Sequence, residues 1–426
     1  MEPASPKHRA EEPFVLGAML SIVGATAWLV ARPNLLVQYF YSAETIALTH
    51  LVTLGFASSI TLGVMLRLAP EALKVAPRSQ RVAWIEGILW LLAGSGFVFH
   101  FHVEHWLGMA WAALLLLAVA LLRAWNFSTL WPAARRGDWT ARWVLAGLAH
   151  FVLAASFGTA FAFLRAGMLG AVVAPLGGVP LLDRLAAHLH IAALGWIGSV
   201  IFGFQGKLLP ATRAPKLGLA RFVLHHGGLL GLLLALLTGR LPAAPFAVAL
   251  ALSIASRSVP ALLGFRRNKA GRWEAVAHAV LLVLAAAGVL LTFGVPDPDG
   301  ELRLRVEFAY GFVALFGWIV LTVAGTSWKL FSTWVWLERF GPVAKLRQEP
   351  VPTAAQLPSA FLRDACGVLL LLGVGGAAAG IVLEDVRIVA PSTWVLGGGV
   401  ALFVIQFVRI ARWELLPLKW KPPHAP

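Results

Sequence analysis

Residues 187–210 read AHLHIAALGWIGSVIFGFQGKLLP, an apolar segment with two histidines near its start and a lysine near its end. The same frame occurs earlier, in residues 49–70, as THLVTLGFASSITLGVMLRLAP. A weaker third copy, FVALFGWIVLTVAGTSWKLFS, covers residues 312–332. The chain therefore contains a triplicated segment that is long enough and apolar enough to cross a membrane as one helix.

The first two copies agree position by position. The matched positions are His50 with His190, Gly55 with Gly195, Ser59 with Ser199, Gly63 with Gly203, Arg67 with Lys207 and Pro70 with Pro210. The third copy keeps Gly317, Gly325 and Lys329, but Phe312 stands where the histidine was. Two of the three copies thus carry a histidine at the same depth, and the small residues four apart indicate close helix packing.

Composition places the chain in one class. It is 59% hydrophobic and 13% charged over 426 residues, with apolar runs of membrane-spanning length throughout. Continuous rather than alternating apolar runs exclude a membrane β-barrel. The net charge of +15 is concentrated in alternate loops, as the positive-inside rule requires, and does not indicate nucleic-acid binding. A single cysteine, Cys366, excludes an intrachain disulfide and a cysteine-ligated cluster.

The sequence predicts an all-α polytopic membrane protein within a lipid bilayer, built as one integral membrane domain over residues 1–426. Its three pseudo-symmetric four-helix units cover about 13–123, 143–264 and 273–412, and we predict no soluble domain. The basic loops follow the even-numbered spans, so both termini are predicted to lie in the cytoplasm of a bacterial inner membrane. The twelve predicted spans are 13–31, 44–68, 83–103, 105–123, 143–165, 183–208, 220–238, 242–264, 273–294, 307–331, 364–384 and 394–412.

Ten histidines lie in or beside these spans and sort into two groups by depth. The outer group is His50, His100, His102, His105, His188 and His190; the inner group is His150, His225, His226 and His278. A single buried histidine is usually a packing residue, but several at one level indicate a functional site. The inner group is predicted to be interfacial, with a role in proton entry as the alternative.

His188 and His190 are two residues apart, which is roughly 200° around a helix. They therefore suit two cofactors on opposite sides of one helix. His50 and His190 occupy equivalent repeat positions and, facing each other, would supply both axial ligands of one haem, an arrangement suited to electron transfer.

Residues 99–105, FHFHVEH, lie at the outer turn between the third and fourth spans. His100, Glu104 and His105 share a helical face, and His102 points elsewhere unless the turn unwinds. Three imidazoles and a carboxylate predict a site for copper or another transition metal. The alternative is an interfacial loop whose histidines and Trp106 anchor the chain at the lipid headgroups.

The segment HLHIAALGWIGSVIFGFQGKLLP resembles the His-x-His helix of haem-copper oxidase catalytic subunits, above all cbb-type oxidases and nitric oxide reductases. That family also has twelve spans in three pseudo-symmetric units. The resemblance implies that His188 ligates a high-spin haem, and that His190 and His50 share a low-spin haem b. Two departures indicate a side branch of the family: the motif lies in the sixth span rather than the tenth, and no His-Pro-Glu copper motif is present. The NnrS-like group, with HxxxxG and M-x-R patterns, is similar.

We therefore expect a redox protein with one haem b, or two, and copper as a further metal, acting in electron transfer or in nitric oxide or oxygen chemistry. Cytochrome c or another respiratory subunit is the expected partner. Arg67 and Lys207 are predicted to act as anchors only. A multi-span transporter and a cofactor-poor scaffold subunit of a respiratory complex are the alternatives. Parallel repeats without helices broken at matching positions disfavour the transporter.

Overall fold

The structure is a computed structural model that describes residues 9–168, 178–208, 215–267, 271–294, 300–341 and 351–415, which leaves Pro210 outside the described residues. Within these ranges there are twelve helices of membrane-spanning length and no strand. They are α1 Glu12–Ala31, α2 Ala43–Leu73, α3 Gln80–His102, α4 Trp106–Arg135, α5 Trp139–Arg165, α6 Leu181–Leu208, α7 Gly218–Thr238, α8 Ala244–Phe265, α9 Arg272–Leu291, α10 Glu301–Arg339, α11 Ala360–Leu383 and α12 Val386–Trp413. The predicted class, an all-α multi-pass membrane protein, is confirmed.

The observed helices follow the predicted spans closely, except that α4 and α10 extend well beyond their predicted ends. Helix α4 continues from the predicted end at residue 123 to Arg135. Helix α10 continues to Arg339, whereas the sequence predicted a loop from residue 332. Its last turns carry Trp334 and Glu338, which contact Glu71 and Arg67 of α2. Because these contacts lie beyond the apolar run, hydropathy alone did not reveal the extension.

Nine of the twelve described helices form a ring around a centre made by the three repeat helices. Neighbouring helices along the chain pack together, and α12 closes the ring against α1. Helices α2, α6 and α10 are more deeply buried than the other nine of the described spans. They meet directly: Trp196 Nε1 of α6 donates to Ser58 Oγ of α2 at 3.2 Å, and Trp318 of α10 packs on Gly198.

Each repeat helix contains a π-helical segment of eight residues at the same place. The segments are Leu51–Ser58, Ile191–Gly198 and Val313–Val320. Each starts directly after His50, His190 or Phe312. The Ser59 and Ser199 hydroxyls each donate to a carbonyl five residues earlier, at 3.0 and 3.3 Å. Such segments are rare and frequently lie at functional sites.

A basic residue fixes each repeat helix to the first helix of its own unit. The ion pairs are Arg67 with Glu11 at 3.1 Å, Lys207 with Asp138 at 3.1 Å and Lys329 with Glu274 at 2.5 Å. The glycine one turn earlier allows the close approach that these pairs require. A Cβ on Gly63, Gly203 or Gly325 would lie 3.0 to 3.2 Å from Phe14, Trp143 or Trp273 respectively. These contacts match the anchoring role predicted for Arg67 and Lys207.

Candidate functional site

A cavity of about 1150 Å³ lies among the central helices. It is near the end of the bundle at which α1 ends and α2 begins, which we call the first-loop end; the opposite end is the terminal end. Most of its wall is apolar and is contributed by α2 to α10. Pockets for drug-sized ligands are usually about 300–1,000 Å³, so this cavity has room for a large cofactor. His50, His188 and His190 all line it.

Local hydrogen bonds orient two of these imidazoles. The Nδ1 atoms of His50 and His190 lie 2.8 and 2.7 Å from the carbonyl oxygens of Ile46 and Ala186, one turn earlier. A carbonyl only accepts, so Nδ1 carries the proton and the Nε2 of the neutral ring has a free lone pair. Neither Nε2 has a hydrogen-bond partner within the described ranges. This is the arrangement in which histidine presents Nε2 to a metal.

His50 and His188 face the same side of the cavity. The His50 ring lies against Phe97 and Phe101 of α3, with ring centroids 4.9 and 5.9 Å away. The His188 ring is 6.0 Å from Phe161 of α5. His188 Nδ1 is buried without a hydrogen-bond partner within the described ranges. His50 and the first histidine of the His-x-His motif thus both pack toward the side of the cavity that α3 and α5 form.

His190 faces the third unit instead. Its ring lies 6.3 Å from that of Tyr310 on α10, at an angle of 28°. The wide angle between His188 and His190 was expected from their spacing. The partner of His50 was expected to be His190. Among the described contacts His50 touches neither histidine of the motif directly, and His188 packs on the same side of the cavity as His50. The π segments, which the sequence did not predict, follow both histidines directly.

Two arginines at the cavity margin were missed by the sequence analysis. Arg165 ends α5 and Arg184 lies in the first turn of α6, both at the first-loop end, and both line the cavity. Each has a buried Nε without a hydrogen-bond partner, and neither has a carboxylate partner within the described ranges. Arg165 lies over the Trp106 ring at 4.1 Å. By contrast, Arg303 at the same margin is paired with Glu307 at 2.7 Å. The position of Arg165 and Arg184 beside the outer histidines was the sequence signal that could have identified them.

Aromatic side chains close the cavity on the side of the terminal end. Phe151 stacks on Trp196 with ring centroids 4.3 Å apart, and Trp90 lies 5.7 Å from Phe151. Trp90 Nε1 donates to Ser59 Oγ at 2.8 Å. Because both indoles are held by serine hydroxyls at the π segments, this floor is rigid and apolar.

The predicted metal site at the turn after α3 is only partly assembled. The Nδ1 atoms of His100 and His105 are 3.3 Å apart. His102 turns away and packs against Trp28 at 5.1 Å, and Glu104 is exposed with φ of +55°. Within the described ranges, no group of three or more His, Cys, Asp or Glu side chains is placed to hold a metal ion. The structure brings two of the four predicted ligands together.

The inner histidines, which were predicted to be interfacial, are buried within the protein. His150, His225, His226 and His278 are each at most 7% exposed. Their helices continue past them on both sides and pack against α6 and α8, which covers the rings. None of the four lines the large cavity.

Comparison with known proteins adds no family. No family model matches the chain, and no curated protein matches it. Its function is therefore argued from the geometry of the cavity.

Proposed function

We propose that this protein is a membrane redox protein that holds a haem b in the large cavity. His50 and His188 would hold its iron, and His190 would face a second binding position beside Tyr310. The proposal rests on one observation: His50, His188 and His190 line one apolar cavity large enough for a porphyrin, and carbonyl oxygens hold the Nδ1 atoms of His50 and His190, which leaves Nε2 as the coordinating atom. Two histidine ligands fill the coordination of the iron, which suits electron transfer.

The residues at both ends of the cavity have the chemistry to hold a haem. The iron supplies one-electron chemistry, while the protein sets ligand basicity and water access. The bond from His50 Nδ1 to a carbonyl fixes the ring and raises the basicity of Nε2. The floor of Trp90, Phe151 and Trp196 excludes water. Arg165 and Arg184 lie where two carboxylates at the polar edge of the macrocycle would be neutralised.

The membrane side follows from the charge of the loops rather than from the coordinates. We place the first-loop end outside the cytoplasm of an inner membrane, because the basic loops lie at the terminal end. An electron donor such as cytochrome c, or a respiratory subunit, would then approach the turn that carries His100 and His105. Nitric oxide or oxygen chemistry belongs to the second position, beside His190.

The test is the optical spectrum of protein purified in mild detergent from cells supplied with ample haem precursor. We expect b-type absorbance in the reduced-minus-oxidised difference and about one iron per chain for one filled position. Metal analysis also reports any copper bound by His100 and His105. A haem-free preparation contradicts the proposal. Because the cavity margin is basic, a transporter of amphiphilic anions would then be the leading function, tested by substrate uptake into vesicles.

Removing the two unpaired arginines should weaken haem binding. A charge-assisted contact contributes about 1.5–3 kcal/mol, so Arg165→Gln or Arg184→Gln should each lower affinity roughly tenfold to a hundredfold. Haem retention during dilution or transfer to apomyoglobin measures this. Arg303→Gln is the matched control, since Arg303 already has Glu307 as its partner. Equal haem loss in all three variants would show that these two arginines have no special role.

A further inference from the structure

A buried basic cluster that is separate from the cavity lies in the second unit and includes His278 of the adjoining helix α9. Its members are His150, His225, His226, His278 and Arg257, with Trp143 among them. The His226 ring centroid lies 5.1 Å from those of His150 and His225. The cluster lies between the aromatic floor and the terminal end. Both nitrogens of His226 and the Nε of Arg257 are buried without hydrogen-bond partners.

Arg257 of α8 is the counterpart of Arg123 of α4. Each guanidinium donates to the carbonyl just before the repeat glycine, and each lies over the aromatic residue of the first helix of its unit. The paired contacts are Arg123 Nη1 to Leu62 O at 3.0 Å, Arg257 Nη1 to Phe202 O at 3.1 Å, Arg123 over Phe14 at 4.9 Å and Arg257 over Trp143 at 4.2 Å. The two arginines therefore make the same contacts with uncharged groups.

Helices α3 and α7 can be aligned in the same way. Trp90 and His225 each hydrogen-bond to the equivalent carbonyl of their repeat helix. Trp90 does so through a serine hydroxyl, and His225 does so directly. The bonds are Trp90 Nε1 to Ser59 Oγ at 2.8 Å, Ser59 Oγ to Leu54 O at 3.0 Å and His225 Nε2 to Leu194 O at 3.2 Å. Glu86 and Arg221 each lie four residues before these side chains, so Arg221 occupies the position of Glu86.

The charges around the two arginines are opposite. Arg123 Nε lies 2.7 Å from Glu86 Oε2, and both side chains are fully buried. Arg257 has no carboxylate partner within the described ranges and is 5% exposed. Arg221 adds a second positive charge, with its Nε donating to Ser256 Oγ at 3.1 Å. A buried charge is costly unless it is paired, and the titratable groups around Arg257 are histidines, whose protonation only adds positive charge.

We propose that the second unit binds a small inorganic anion beside Arg257, in the place that the Glu86 carboxylate takes in the first unit. The Nε of Arg257 donates to the anion, and the N–H groups of His226 and His278 are the other available donors. His278 has an unpartnered Nε2 facing away from Ser258, which occupies its Nδ1. Chloride has the charge that such a site requires. This inference does not depend on haem binding.

The experiment measures thermal unfolding of the purified protein while chloride replaces gluconate at constant ionic strength. Wild-type Tm should rise with chloride and saturate. Arg221→Glu restores the pairing seen in the first unit, so it should raise Tm in gluconate and abolish the response to chloride. Arg257→Gln should also abolish the response. Lys74→Glu makes the same charge change at an exposed position, and this variant should still show the rise of Tm with chloride.

Two results overturn the proposal. One is a wild-type Tm that does not change with chloride at constant ionic strength. The other is a chloride response that is equal in wild type and Arg221→Glu, which would be a general salt effect. Because Arg221→Glu is expected to stabilise the protein, the test remains decisive even where Arg257→Gln fails to fold.

Discussion

His188→Ala is expected to abolish the bis-histidine b-type absorbance, as is His50→Ala, while His190→Ala retains it. The reason is geometric: His50 and His188 pack toward α3 and α5 on one side of the cavity, whereas His190 faces Tyr310 of α10. Loss of either axial ligand leaves the iron five-coordinate, which shifts the spectrum to a high-spin form or releases the haem. Reduced-minus-oxidised spectra and haem per chain measure both outcomes.

His102→Ala is the control for this series, because its ring lies outside the cavity against Trp28. The reverse pattern would be informative. If His190→Ala abolishes the absorbance and His188→Ala does not, then His50 pairs with His190, as the resemblance to haem-copper oxidases implied. If none of the three variants changes the spectrum, the haem is held elsewhere.

Glu86→Gln is expected to lower the free energy of unfolding by about 3–5 kcal/mol, the usual cost of leaving one partner of a buried ion pair uncompensated. Arg123 would remain charged between α2 and α4 without its counter-ion. Unfolding in bicelles measures the loss. Asp385→Asn, which breaks an exposed ion pair with Arg387, should change stability little.

The third unit shows which two residues should replace the buried ion pair in a double variant. Ser359 and Gln406 make the same pair of hydrogen bonds as Ser79 and Asn126. Counting from these residues, Cys366 and Phe403 occupy the positions of Glu86 and Arg123, and both are buried. Glu86→Cys combined with Arg123→Phe should therefore recover most of the loss, since apolar replacements of buried ion pairs are often neutral or better. A double variant as unstable as Glu86→Gln would refute this correspondence.

Apolar run length was enough to predict the membrane helices, and the small residues of the triplicated segment indicated the close packing of its helices. Run length is a strong signal because the bilayer core has a fixed thickness. It failed at Arg339, where the helix extends beyond the bilayer-length run. The positions of His50, His188 and His190 within the predicted spans placed them at the same depth in the membrane, and all three line one cavity.

Sidedness within the bundle was harder to predict. A helical wheel separates His188 from His190, but it does not say which neighbouring helix each one faces. The burial of His225 and His226 was missed because a position near a helix start says nothing about what packs over it. Arg165 and Arg184 were missed because each reads as an ordinary helix-end residue until the histidines beside it are known.

The π segments have a further consequence for how the three repeat helices tolerate change. In an α-helix, removing one residue turns everything beyond it by roughly 100°. Each of these helices must aim its first turns into the cavity and its last turns at the ion pair of its own unit, Arg67 with Glu11 in α2. The wide turns between these two ends set their relative rotation. A single-residue deletion within Leu51–Ser58 would tighten that stretch into ordinary α-helix, leaving the helix intact but misaligning one end with its partners.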